Sequence, residues 1–313
     1  MANDVERVTN PEVDRGSSPP GFRSRFPRQS AFIRVFAVAG LTLAVLSSPA
    51  ATQPRKLDAE SRERLAETYI LPIRREFQVG KQTREALIFA PKSAANSPAP
   101  VVFAFHGHGG TMQKSVEMFG VHSAWKEAIV VYPQGLPIAA PSDPAGRRPG
   151  WNTAEAQGNR DVLFFDAMLA GLEEELPIDR RRIFACGNSN GGFFTYTLWA
   201  LRPEVLAAVA PAAATLDRSR DNLQPKPVFC IGGEQDDKVP LASQRKTFEQ
   251  LANINGCAGP TRKGRHPLVT IHPSPSGMTL VTFIHPGGHA FPREAVKPMV
   301  EFFKRTEQSD GPE

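Results

Sequence analysis

The chain has 313 residues, 41% of them hydrophobic and 22% charged, a globular composition that excludes a fibrous or low-complexity protein. Its 37 basic and 32 acidic residues leave a net charge of +5, scattered in clusters as short as Arg180-Arg181-Arg182, so the concentrated basic face of a nucleic-acid binder is missing. Three cysteines, Cys186, Cys230 and Cys257, show no C-x-x-C spacing, which argues against a structural zinc site and a disulfide-stapled mini-fold.

Residues 1–30 are polar and lack an apolar period. Arg34 then precedes the apolar run Val35 to Leu46 and the small residues Ser47-Ser48-Pro49-Ala50-Ala51. A positive flank, a short apolar core and a small-x-small exit describe an export signal, with Ser48 and Ala50 at the −3 and −1 positions. As a helix the run is about 18 Å long, short of the roughly 30 Å of a bilayer core, so no stable membrane span is expected after cleavage. Residues 1–50 are therefore read as a polar leader plus signal peptide, and the protein as exported, periplasmic or extracellular. Cys186 and Cys230 lie in apolar segments and read as buried free thiols.

Residues 57–313 read as one α/β unit. After a short charged helix near Asp58 to Thr68, two strands flank Gly80-Lys81 as a hairpin, REFQV and REALIFAP. VVFAF (101–105) precedes a helical run from about Met112 to Ala128, and IVVYP (129–133) precedes a long Pro-rich loop, 135–150. An amphipathic helix is expected over 161–176, then a strand at 182–187 and a helix through Trp199. VLAAVAP (205–211), PVFCIG (227–232) and LVTFIHP (280–286) follow, and PREAVKPMVEFFKR closes the pattern as a helix. Short apolar runs alternating with helices indicate a mostly parallel sheet of about eight strands with helices on both faces. In such sheets ligands sit beyond the carboxyl ends of the strands, so the residues there carry the functional reading.

After the strand at 182–187 the chain reads Gly187-Asn188-Ser189-Asn190-Gly191, a G-x-S-x-G between strand and helix, the context of a nucleophile elbow. After 101–105 comes His106-Gly107-His108-Gly109-Gly110, a glycine-rich loop able to present a backbone N–H. The N–H groups of His108 and Asn190 are the expected oxyanion donors. His106 and His108 could also be metal ligands, but no third ligand matches them and no metal is expected; His106 reads as a buried turn-former whose ring bonds to backbone. After 227–232 come Glu234, Asp236 and Asp237, any of which could orient a general base, and after 280–286 comes His289 on Gly287-Gly288, with His285 as its rival. The order Ser, acid, His is that of α/β-hydrolases. Trp151 is a candidate aromatic wall for a substrate or a packing anchor for the long loop, and Phe291 is a second candidate wall.

The stretches FAFHGHGG, AIVVYPQG, GWN followed by DVLFFDAML, IDRRRIFACGNSNGG, VLAAVAPAAA, GGEQDDKVP and GGHAFP resemble the polyhydroxybutyrate depolymerase, feruloyl esterase and acetylxylan esterase group of α/β-hydrolases over roughly residues 75–305. The resemblance implies an α/β-hydrolase fold with Ser189 as nucleophile; its G-x-x-D-x-x-V-P pattern selects Asp236, and its Gly-Gly-His stretch selects His289. Departures are Asn188 where the family often has His or Gln, His108 where it often has Cys, and Phe291-Pro292-Arg293 where it often has Trp-Pro-Gly. The second removes a familiar disulfide partner and implies that Cys257 lacks a mate. The expected activity is hydrolysis of carboxylic esters, either polyhydroxyalkanoate oligomers or feruloyl and acetyl sugar esters, through an acyl-enzyme and with no cofactor. The partner is a small-molecule or oligomeric ester, and no oligomeric state is implied. Competing readings are an acyltransferase with the same three groups and a non-catalytic carbohydrate- or polyester-binding relic.

Overall fold

The computed structural model describes residues 72–156, 158–216 and 223–306, all within the unit Gln53–Glu313. The expected export segment and the charged helix near Asp58 to Thr68 lie outside the described residues. The chain first forms the strands β1 (Ile73–Val79), β2 (Gln82–Phe89) and β3 (Ala99–Phe105), the helices α1 (Met112–Phe119) and α2 (Val121–Ala124), and β4 (Ile129–Pro133). The short strands β5 (Leu136–Pro137) and β6 (Pro149–Gly150) pair with each other, and α3 (Arg160–Glu175), β7 (Ile178–Asn188), α4 (Asn190–Leu201), β8 (Ala208–Ala212) and β9 (Val228–Gly233) follow. The last elements are α5 (Leu241–Ile254), β10 (Arg262–Lys263), β11 (Val269–His272), β12 (Leu280–His285) and α6 (Val296–Lys304).

The main sheet runs β1-β2-β4-β3-β7-β8-β9-β12-β11-β10. From β4 to β12 every neighbouring pair is parallel, and both edges are antiparallel. Burial explains this. β3 is buried at all seven positions, yet Val101, Phe103 and Phe105 enter one core while Val102 and Ala104 enter another. A strand with period-two side chains and two apolar faces needs cover on both. The first core is covered by α3, α4 and α5, through residues such as Phe165, Phe194 and Leu251. The second is covered by α1, α2 and α6, through Phe119, Val121 and Phe303.

The sheet has ten strands rather than about eight. The additional pair, β10 and β11, forms the antiparallel edge beyond β12. Two residues in one and four in the other, with Pro267 and Pro273 bracketing the longer, leave too little pattern to read from sequence. The helix expected over 112–128 is two helices, because Gly120 takes a left-handed conformation (φ 53°) and ends the first. The closing helix begins as a 3₁₀ turn at Arg293–Ala295. α5 was not anticipated. Its buried residues are Gln244, Thr247, Phe248 and Leu251, so half of its inward face is polar and the apolar period is hidden.

The chain leaves β3 to form β4 on one side and later places β7 on the other. Such a reversal opens a crevice at the carboxyl ends of the two strands. Beneath it lies a buried ion pair. Arg84 of β2 donates to Asp161 at 2.8 Å, with side chains 1% and 0% exposed. Arg84 also donates to the Gln134 carbonyl, and its guanidinium lies 4.2 Å over the Phe164 ring. The second Asp161 oxygen accepts the Asn152 N–H at 2.8 Å, which ties the long loop to the start of α3, where Asn159 caps the helix.

Removing one charge of a buried pair leaves the other unpaired. Asp161→Asn is therefore expected to cost about 3–5 kcal/mol in urea unfolding. The paired Arg84→Met/Asp161→Leu variant should cost markedly less than the two single substitutions added together. A single-variant loss below 1 kcal/mol would contradict this role.

Candidate active site

Ser189 stands between β7 and α4 with φ 55° and ψ −121°. A non-glycine residue is strained there, by about 1–3 kcal/mol. The surroundings enforce it. A Cβ on Gly187 would lie 2.2 Å from the Gly191 carbonyl oxygen, and one on Gly191 would lie 2.2 Å from that of Phe105. Only glycine at both positions lets the turn close this tightly. The Ser189 N–H donates to the Ala212 carbonyl at 2.9 Å, and its carbonyl accepts from Phe193 at 2.9 Å. The side chain is thereby lifted off the end of the sheet.

The elbow directs the hydroxyl at His289, whose Nε2 lies 2.7 Å from Ser189 Oγ. His289 Nδ1 lies 2.9 and 3.0 Å from the two oxygens of Asp236. An ionised carboxylate can only accept, so Nδ1 carries the ring proton and Nε2 is left to accept from the serine. The Asp236 side chain is 0% exposed while His289 remains 23% exposed. Burial of the carboxylate is offset by donors: Lys238 N–H at 2.9 Å and Val239 N–H at 2.8 Å on one oxygen, and Gln244 Nε2 at 3.2 Å on the other. Asp237 instead points outward, pairing with Lys238 at 3.2 Å with its side chain 74% exposed, and Glu234 is exposed. The His285 ring folds back on its own loop and accepts from Gly287 N–H at 3.2 Å.

The loop after β3 lies against the elbow. A Cβ on Gly107 would be 3.5 Å from Ser189 Cβ. Among the described residues no backbone acceptor engages the His108 N–H, and Asn190, as the first residue of α4, has no intrahelical acceptor for its own. The loop from β5 to β6 clamps both. Pro149 accepts from Gly109 N–H at 2.7 Å, the Ile138 carbonyl accepts from His108 Nε2 at 2.9 Å, and the Asn190 amide bonds both backbone groups of Trp151, at 2.7 and 3.0 Å.

No protein-family model matches the chain. Feruloyl esterase D of Neurospora crassa is 26% identical over 230 residues, covering 67% of this chain and 74% of that protein. Probable feruloyl esterase C of Aspergillus niger is 28% identical over 171 residues, covering 52% of this chain; the chain spans 58% of that relative's length. Among solved structures, the acetyl xylan esterase from Aspergillus awamori matches with a TM-score of 0.59 over 74% of this chain and 99% of that one, at 16% identity. The chain has an α/β-hydrolase fold and is similar in sequence to feruloyl and acetylxylan esterases.

The structure brings Ser189, His289 and Asp236 together and sets the loop of His108 beside them. It does not form the expected aromatic wall from Trp151 and Phe291. Trp151 is 1% exposed, stacks on Phe194 and donates Nε1–H to the His106 carbonyl at 2.8 Å. Phe291 is 7% exposed and packs edge-on against Phe119 in the second core. Both rings are part of the apolar cores, Trp151 in the first and Phe291 in the second. Among residues not singled out from sequence, Gln244 touches the Asp236 carboxylate. Its position eight residues past Asp236, on the first turn of a helix begun after Val-Pro, was the available signal. Cys186, Cys230 and Cys257 are free, and burial pushes the Cys230 thiol up to about 12.

His106 fastens the loop from inside. Its Nε2 accepts from Gly135 N–H at 3.0 Å, and its Nδ1–H donates to the Gly107 carbonyl at 2.8 Å. These bonds require a neutral ring, and burial lowers its pKa to about 4. In the unfolded chain the ring takes up a proton as pH falls through about 6.5, while the folded ring resists down to about 4. The folded state binds fewer protons in that window, so stability is full above it and declines across it, by on the order of 3 kcal/mol from this group. The His106 ring resonances should stay those of the neutral imidazole between pH 7 and about 5. A ring that titrates near 6.5 would contradict the assignment.

Proposed function

We propose that the chain is a serine esterase whose nucleophile is Ser189. The carrying observation is the 2.7 Å approach of Ser189 Oγ to His289 Nε2, with Asp236 on the far nitrogen. His289 takes the hydroxyl proton as Ser189 attacks the ester carbonyl, and the N–H groups of His108 and Asn190 hold the resulting oxyanion, each donor being worth about 3 kcal/mol. Collapse breaks the ester C–O bond. His289 returns the proton to the departing alcohol and leaves the acyl group on Ser189. Water, deprotonated by His289, then releases the carboxylic acid and restores the serine.

Relatives named for feruloyl and acetylxylan ester cleavage favour those esters as the substrate class. Hydroxyalkanoate oligomers, the other class expected from sequence, take no support from them. The loop between β5 and β6 lies against His108 through the Ile138 carbonyl, and Asn190 holds Trp151 just beyond β6. The apolar run and small-residue exit at 35–51 favour action outside the cytosol.

Purified protein should cleave methyl ferulate or p-nitrophenyl acetate and should be labelled by a fluorophosphonate probe. Ser189→Ala should lower turnover at least about a thousandfold and abolish labelling, with thermal unfolding nearly unchanged. Full turnover by that variant would eliminate the assignment.

A further inference from the structure

We infer that Gln244 is a positioning residue for the His289–Asp236 pair: its amide holds the Asp236 carboxylate in the plane from which it orients the imidazole. The inference rests on the reading of Ser189, His289 and Asp236 as a triad, and goes one step behind it.

Three observations carry it. Gln244 is 0% exposed, and its Nε2 donates to Asp236 Oδ2 at 3.2 Å and to the Val239 carbonyl at 2.7 Å. Both partners are acceptors, so the amide orientation is chosen by them: turning it over would set Oε1 against a carboxylate. That choice leaves Oε1 buried with no hydrogen-bond partner, a cost the site bears to aim both N–H groups at the acid loop. The third observation is the space made for it. A Cβ on Gly232 in β9 would lie 2.9 Å from Gln244 Oε1, so an apolar strand gives up a side chain to admit a polar one.

The geometry divides the work around Asp236. Backbone N–H groups of Lys238 and Val239 fix Oδ1 from the acid's own loop. Gln244 fixes Oδ2 from α5, a separate element. The carboxylate can then neither rotate nor tilt away when His289 becomes positively charged during the reaction. The other titratable groups facing this carboxylate are the exposed Glu234, Asp237 and Lys238 on its loop and His285 from β12, whose far side meets Glu294. Among the described residues, none of these five hydrogen-bonds Asp236 through its side chain.

The test compares Gln244→Leu and Gln244→Glu with the wild type on p-nitrophenyl acetate. Gln244→Leu should lower kcat about tenfold with KM within about twofold, at undiminished fluorophosphonate labelling end point but slower labelling rate. Gln244→Glu sets a second carboxyl beside Asp236. Protonated, its single O–H donates to Asp236 in place of the amide, giving up the Val239 bond, and keeps kcat close to wild type at the acid end. As pH rises the proton is lost, two carboxylates face each other, and kcat falls along a descending limb where the wild type is flat. A merely structural Gln244 would move unfolding temperature and leave the profile unchanged. Gln244→Glu is nearly isosteric and carries the test alone if Gln244→Leu fails to fold. Wild-type kcat in Gln244→Leu, or a wild-type pH profile in Gln244→Glu, overturns the inference. A wild type that neither cleaves esters nor labels at Ser189 instead overturns the esterase reading beneath it.

Discussion

A carboxylate with no solvent exposure organises this molecule's working end. Asp236 must meet donors on every side, and those it finds come from three parts of the fold: its own loop, helix α5 and the imidazole of His289. Satisfying that buried group therefore brings the end of β9, the start of α5 and the loop after β12 to one place. The imidazole then has one tautomer, and its free nitrogen has one partner, the hydroxyl of Ser189.

A second constraint is the tightness of the turn at Ser189. With carbonyl oxygens where Cβ atoms would otherwise stand at positions 187 and 191, β3, β7 and α4 approach closely enough for the loop after β3 to touch the serine. Rigidity on the other flank comes from polar side chains that replace backbone pairing. Asn190 grips both backbone groups of Trp151, and His106 bridges Gly107 and Gly135. Below them, Arg84 and Asp161 hold the next segment of the same loop through Asn152. The wall beside the nucleophile is thus fixed by hydrogen bonds to backbone, and the aromatic rings of Trp151 and Phe194 fill the core behind it.

Much of this was legible along the chain because strand-end residues are exposed to pattern. A short apolar run followed by Gly187-Asn188-Ser189-Asn190-Gly191 signals its own geometry, and His289 on a Gly-Gly loop does the same. Asp236 needed more: spacing left it beside Asp237 and Glu234, and the family resemblance chose between them. Gln244 was not singled out, since a polar residue on a polar helix breaks no apolar pattern and only its spacing from Asp236 pointed to it. The edge strands β10 and β11 are too short to show a period. Trp151 could be read two ways from sequence, and burial against Phe194 decided for packing; Phe291 belongs to the core for the same reason.

By itself the amino-acid sequence determined the alternation of buried strands and helices, the elbow at Ser189 and the chain order of hydroxyl, carboxylate and imidazole, because apolar period and glycine placement are local properties. Which amide supports the inward carboxylate and which aromatic rings are lost to the core were decided only by the tertiary structure. Those outcomes depend on contacts between residues far apart in the chain, such as Asp236 with His289 and Arg84 with Asp161, and the desolvation and pairing that fix them arise only once the sheet has assembled.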